Sequence, residues 1–287
     1  MTVSAALPRR RPAGSLRRVT STTGGKIGLV FLVVGLAICL FGGNVAPYDP
    51  SQPFGIPGSP PMPGHPLGLD FIGRDVLSRV LYAGRATVVL AVGATTITYV
   101  VGGAIGLLAG YRRGPVDAWL MRTMDVLLSV PALLVILLFV TAFGNAGWVL
   151  VLSAALVLMP GVARIVRSAT AEIATRGYVE AAVARGDRTL TILRREVLPN
   201  IAGVVIADLG LRFSWSIILI ASVNFLGLGI QPPLPELGLM VSENRVIIGG
   251  NPDAILAPSI VLAVLIIGVN LVGDAFVRHL DRSEGGA

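Results

Sequence analysis

Any chemistry performed by this chain would have to come from a short set of side chains. It has one cysteine, Cys39, and two histidines, His65 and His279. A lone thiol inside an apolar stretch supports neither a disulfide framework nor a thiolate metal cluster. The histidines have no second ligand at metal spacing. Gly24-Gly25-Lys26 touches the phosphate-loop pattern but lacks its first glycine and the hydroxyl residue after the lysine, so nucleotide is expected to bind elsewhere. No Ser/His, paired-carboxylate or His-rich constellation is spaced for catalysis. What remains are polar groups in apolar surroundings: Asp208 and Arg212, four residues apart, with Ser214, Ser222 and Asn224 further along the same stretch. Charges placed so either line a path through the membrane or pair with each other; the spacing favours the pair. The hydroxyl and amide groups either face a cavity or bond their own backbone. No catalytic residue, no metal site and no cofactor bound by this chain are expected.

Those groups must be positioned by helices in lipid. The chain is 54% hydrophobic and 14% charged, with a mean hydropathy of +0.79. A bilayer-crossing helix needs roughly 20 mostly apolar residues, and six such runs are present. The first covers 27–48 and the second 86–111. The third and fourth share the uncharged stretch 126–163, divided by the turn-forming residues 143–147. The fifth covers 201–230 and the sixth 254–273. The net charge of +7 reads as topology, not as a nucleic-acid surface. Arg9, Arg10, Arg11, Arg17, Arg18 and Lys26 precede the first run. Arg112, Arg113 and Arg122 separate the second from the third, and an Arg-rich stretch separates the fourth from the fifth. The positive-inside rule then puts both termini in the cytoplasm, with Arg74, Arg79 and Arg85 as an exception beside Asp70 and Asp75. The first run is long enough to span and lacks a small-residue cleavage site, so it is read as an uncleaved helix.

The expected division is a cytoplasmic tail at 1–25, a first transmembrane helix at 26–48 and an extracytoplasmic segment at 49–85. A core of five transmembrane helices follows at 86–277, with a cytoplasmic loop at 164–200, and then a short tail at 278–287. The outer segment is proline-rich and then amphipathic, so a short interfacial helix is expected over 75–85. Gly102, Gly106 and Gly110 recur every four residues, which suits close helix packing. Pro131 is expected to bend the third span.

The loop between spans four and five is the most informative part. Tyr178-Val179-Glu180-Ala181-Ala182 begins an Ala-rich helix that Gly186 is placed to end in a left-handed cap. A second short helix is expected to end at Leu198-Pro199. Together they make a compact cytoplasmic knob, with Ala181 and Ala182 small enough to admit a partner surface. Glu180-Ala181-Ala182, Gly186 and Leu198-Pro199 resemble the EAA loop of ATP-binding-cassette importer permeases; Glu196 departs from the apolar residue or histidine usual there.

The resemblance extends along most of the chain to the dipeptide, oligopeptide and nickel importer permeases. It is carried by His65-Pro66-Leu67-Gly68, Gly73-Arg74-Asp75-Val76-Leu77-Ser78-Arg79, Leu127-Leu128-Ser129-Val130-Pro131, Phe225-Leu226-Gly227-Leu228-Gly229 and Asn270-Leu271-Val272-Gly273-Asp274. It matches the second, C-type, of the two permeases in such systems. The resemblance implies an all-α type I importer permease fold in a prokaryotic inner membrane and a homologous second permease. It also implies two ATPase subunits or one fused ATPase, which bind ATP and Mg, and an extracytoplasmic binding protein. Peptide is the implied cargo and nickel the runner-up, and Asp208 and Arg212 would then meet a charged peptide terminus if they line the path. An ion-coupled secondary transporter is the competing class; no inverted repeat supports it.

Overall fold

The computed structural model describes residues 22–284, with side chains described as far as Val277. Most of the basic N-terminal tail, the last three residues, and the side chains of Arg278, His279 and Arg282 lie outside that range.

Helix α1 (Thr23–Val45) starts where the Thr22 hydroxyl accepts from the Gly25 amide at 3.1 Å. Helix α2 (Val76–Arg112) follows the outer loop and contains a π-helical turn at Thr98–Gly102. Next come α3 (Gly114–Ser129), α4 (Ala132–Phe143) and α5 (Gly147–Ile173). A short helix α6 (Gly177–Ala184) leads to α7 (Thr189–Phe225), which contains a second π turn at Leu193–Val197. A short outer helix α8 (Leu237–Asn244) and the last span α9 (Asp253–Glu284) complete the fold. Five helices, α1, α2, α5, α7 and α9, are long and apolar enough to cross a bilayer; α3 and α4 qualify together as a broken sixth.

One expectation about the spans changes. The segment 75–85 is not a separate interfacial helix but the first turns of α2. The Asp75 carboxylate caps it by accepting from the Ser78 amide at 2.7 Å, and Val76, Val80 and Ala83 are buried against residues of α8 and α9. The bend expected at Pro131 is present and sharp. Pro131 supplies no N–H and holds Val130 extended at φ −94°, ψ 130°, so α3 and α4 meet at 86°. The glycine stripe packs α2 on α5: a Cβ on Gly106 would lie 2.5 Å from the Ala163 carbonyl oxygen, and one on Gly110 2.5 Å from that of Arg167. The backbones approach more closely there than any side chain permits.

The loop that precedes α2 is clamped by buried charge. Asp70 accepts from Arg74 Nε at 2.7 Å and Arg79 Nη1 at 2.5 Å. The Glu243 carboxylate lies 2.9 Å from Arg79 Nη2 and 3.4 Å from Arg74 Nη2. Two of the three arginines that stood as an exception to the topological rule thus carry no net charge with their partners. Removing one partner of such a buried set costs about 3–5 kcal/mol.

Candidate functional site: a helical knob and an ion pair within a span

Helix α6 ends as its sequence requires. Gly186 has φ +79°, its amide donates to the Val183 carbonyl at 2.9 Å, and the Asp187 amide donates to the Ala182 carbonyl at 3.2 Å. This is the double bond pattern of a glycine-terminated helix. The inner face of α6 is sealed. Val179 and Ala182 are buried with Val162 and Val166 of α5 and with Ile192, Val197 and Ile201 of α7. Burying those side chains fastens the knob to the roots of two spans, so it moves only with them.

Ala181 and Ala182 therefore do not share a role. Consecutive residues on a helix point about 100° apart, and Ala182 is spent on internal packing while Ala181 is exposed. The outward surface consists of Tyr178, Glu180, Ala181 and the half-exposed Val183, with Leu190 beyond the turn. Beside it runs a groove of about 570 Å³ bordered by Tyr111, Arg113, Thr175, Glu180 and Val183. Partial burial raises the Tyr178 phenol above its ordinary range; the Glu196 carboxylate adds to this and Arg176 opposes it.

No second short helix ends at Leu198-Pro199. The π turn shifts the hydrogen-bond register so that Pro199 falls in the first turn of the resumed α-helix, where a missing N–H costs least. The knob consequently runs into the α7 span without a joint.

Within the membrane, Asp208 and Arg212 do pair: Arg212 Nε donates to Asp208 Oδ2 at 3.1 Å. Tyr99, from the π turn of α2, donates its hydroxyl to the same oxygen at 2.8 Å. Ser214 and Asn224 are buried between elements and give no polar surface to a path. Ser214 accepts from Asn270 at 3.2 Å. Asn224 donates to the Ile220 carbonyl and accepts from the Ile230 amide at 2.7 Å, tying down the turn after α7. The Ser222 hydroxyl donates to the Ile218 carbonyl at 2.7 Å, at the edge of an apolar cavity of about 560 Å³ between α7, α8 and α9.

The comparisons with known proteins decide the family. Residues 102–285 match the model described as "Binding-protein-dependent transport system inner membrane component". The chain belongs to this family. This permease is 34% identical over 261 residues to the di/tripeptide transport system permease protein of Pseudomonas aeruginosa, covering 88% of this chain and 86% of that one. It is 33% identical to the glutathione transport system permease protein of Pectobacterium atrosepticum, covering 88% and 84%. With the dipeptide transport system permease protein of Haemophilus influenzae it shares 31% identity over 90% of both chains. Its fold is that of a chain in inward-facing crystals of the MetNI methionine ABC transporter, at TM-score 0.56 and 20% identity, covering 67% of the permease and 92% of that chain.

Two polar side chains that hold elements of the permease together are not marked in its sequence. Tyr99 is one aromatic among apolar neighbours, and nothing local marks its bond to Asp208. Glu236 is fully buried as the N-cap of α8, accepting from the Leu239 amide at 3.0 Å and from the Thr87 hydroxyl of α2 at 2.8 Å. Burial raises its carboxyl above the usual carboxylate range, and the bonds from Thr87 and from the backbone oppose the shift. Glu236 stands immediately before the helix start at Leu237, but glutamate is not among the residues that usually cap a helix N-terminus, so its residue type gives no capping signal.

Proposed function

We propose that this chain is the second, C-type membrane subunit of an ATP-driven importer of short peptides. It pairs with a homologous permease, is driven by two ATPase subunits or one fused ATPase that carry the ATP and Mg, and receives cargo from an extracytoplasmic binding protein. The observation that carries the reading is the two-faced knob. Its outer face of Tyr178, Glu180, Ala181 and Val183 is free for a partner, and its inner face is locked to α5 and α7. A partner that moves α6 therefore moves the inner ends of two spans together. Closure of paired ATPases would bring the two knobs of a permease dimer toward each other and reorient the path without chemical change to the cargo.

Peptides of two or three residues are the cargo class that the named relatives support, glutathione being a tripeptide. The test is reconstitution of the chain with its partner permease, ATPases and binding protein, followed by uptake of labelled di- and tripeptides and of nickel. Peptide uptake that requires ATP hydrolysis is expected. Uptake driven by an ion gradient without ATP would refute the importer reading; ATP-dependent nickel uptake without peptide uptake would refute the cargo.

A further inference from the structure

We infer that Arg212 is an intramembrane recognition point for a solute carboxylate, the C-terminal carboxylate of a short peptide, and that Asp208, Tyr99 and Gly161 hold its guanidinium in place. The inference deepens the peptide-import reading and rests on it.

An arginine within a span is costly unless its donors are occupied or face water. Here the resident carboxylate uses only the side of the guanidinium. Asp208 Oδ2 receives Arg212 Nε, and Nη1 and Nη2 have no acceptor among the described residues. Nor are these nitrogens sealed off: they are absent from the buried, unpartnered atoms, and the side chain retains 17% exposure. An arginine serving only as a helix clasp would be expected to face its carboxylate with the end-on fork, since two parallel bonds are the stronger arrangement. The fork is left for a second planar anion, and a carboxylate fits it bidentately.

The position is built by other residues. Asp208 is itself fixed by the Tyr99 hydroxyl, so the arginine is anchored to α2 as well as α7. On α5, a Cβ at Gly161 would lie 2.6 Å from Arg212 Nη1 and 2.9 Å from Nη2. The guanidinium thus rests where any side chain at 161 would stand. Asp208, Leu211, Arg212 and Trp215 recur at helical spacing, and Leu211 and Trp215 are both 46% exposed. The pair is thus packed against α2 and α5, and the 17% exposure left to the Arg212 side chain is on the side of α7 that carries these two exposed residues, as at the rim of a surface shared with a second subunit. Resting charge is balanced by Asp208, so the site carries no net charge until an anion arrives.

The test uses the assembled permease pair with its ATPases, without binding protein, and a photoreactive tripeptide. Unlabelled tripeptide is compared with its C-terminal amide as competitor. Hydrogen bonds to a charged group correspond to roughly 10- to 100-fold in affinity, so the free acid is expected to compete at least about tenfold better than the amide. Arg212→Gln is expected to erase that ratio by bringing the free acid down to the amide. Arg212→Lys, which keeps charge without the fork, and Gly161→Ala, which displaces it, are expected to reduce the ratio. Equal competition by acid and amide in the wild type would overturn the proposal. So would an Arg212→Gln variant in which both competitors weaken equally, the signature of a purely structural clasp. Failure of the photoreactive tripeptide to label the wild type would overturn the peptide reading beneath it, and this inference with it.

Discussion

Replacing Gly186 by alanine isolates the backbone geometry of the knob. A Cβ at Gly186 meets nothing within 4 Å, so the substitution introduces no clash. Its φ of +79° is a left-handed conformation that costs an L-residue about 1–2 kcal/mol. At about 1.4 kcal/mol per decade, the end of α6 should open roughly 5- to 30-fold more often. Gly177→Ala is the internal control: a Cβ there also meets nothing within 4 Å, but the residue is helical. Alanine should stabilise that position by about 0.5–1 kcal/mol, or roughly two- to fivefold. Hydrogen exchange of the amides at 185–187, measured in nanodiscs, reads both variants. Faster exchange in Gly186→Ala and slower exchange in Gly177→Ala are expected, with ATP-coupled uptake falling only in the former. Gly186→Pro should lose more, since it fixes φ near −65° and removes the amide that donates to Val183. Unchanged exchange in Gly186→Ala would refute the claim that this turn is held by a glycine-only conformation.

Further outcomes follow from packing and burial. Gly106→Ala, whose Cβ would stand 2.5 Å from the Ala163 carbonyl oxygen, should destabilise the α2–α5 crossing by about 1–3 kcal/mol. Gly103→Ala, with nothing within 4 Å, should stabilise by about 1 kcal/mol; thermal unfolding in detergent separates the two. Because burial raises the Glu236 carboxyl, the folded chain holds that proton more tightly than the unfolded one. Its contribution to stability is full below the unfolded pKa of about 4.3 and is lost as pH rises through the folded value. Glu236→Gln should flatten that decline in unfolding temperature against pH; parallel wild-type and variant curves would contradict it.

What was legible in the sequence was whatever depends on neighbours along the chain. Uncharged runs of bilayer length, the break at Pro131 and the left-handed turn at Gly186 are local consequences of residue type. What was not legible depends on partners far away. Arg74 reads as an exposed charge until Glu243, 169 residues later, is brought beside it. The same distance hid the continuity of α2, whose first turns carry charges that only a folded outer cap neutralises. Ala181 and Ala182 are the same residue type in adjacent positions, and only the side that Val179 packs on tells them apart. Pro199 looked like a helix end because the π turn before it leaves no signature in residue type. The Asp208–Arg212 pair was visible from its spacing, but its third member, Tyr99, and its platform, Gly161, lie on other helices.

The central claim, that the outer face of α6 receives the ATPase and its inner face does not, is tested most directly by cysteine scanning of the knob. The chain's only cysteine, Cys39, is buried in α1, so the background is silent. Ala181→Cys and Val183→Cys, each carrying a thiol-linked photocrosslinker in the reconstituted assembly, are predicted to form adducts with the ATPase. Val179→Cys and Ala182→Cys are predicted to form none. Adducts from the inner positions alone, or no ATPase adduct from any position on α6, would contradict the account.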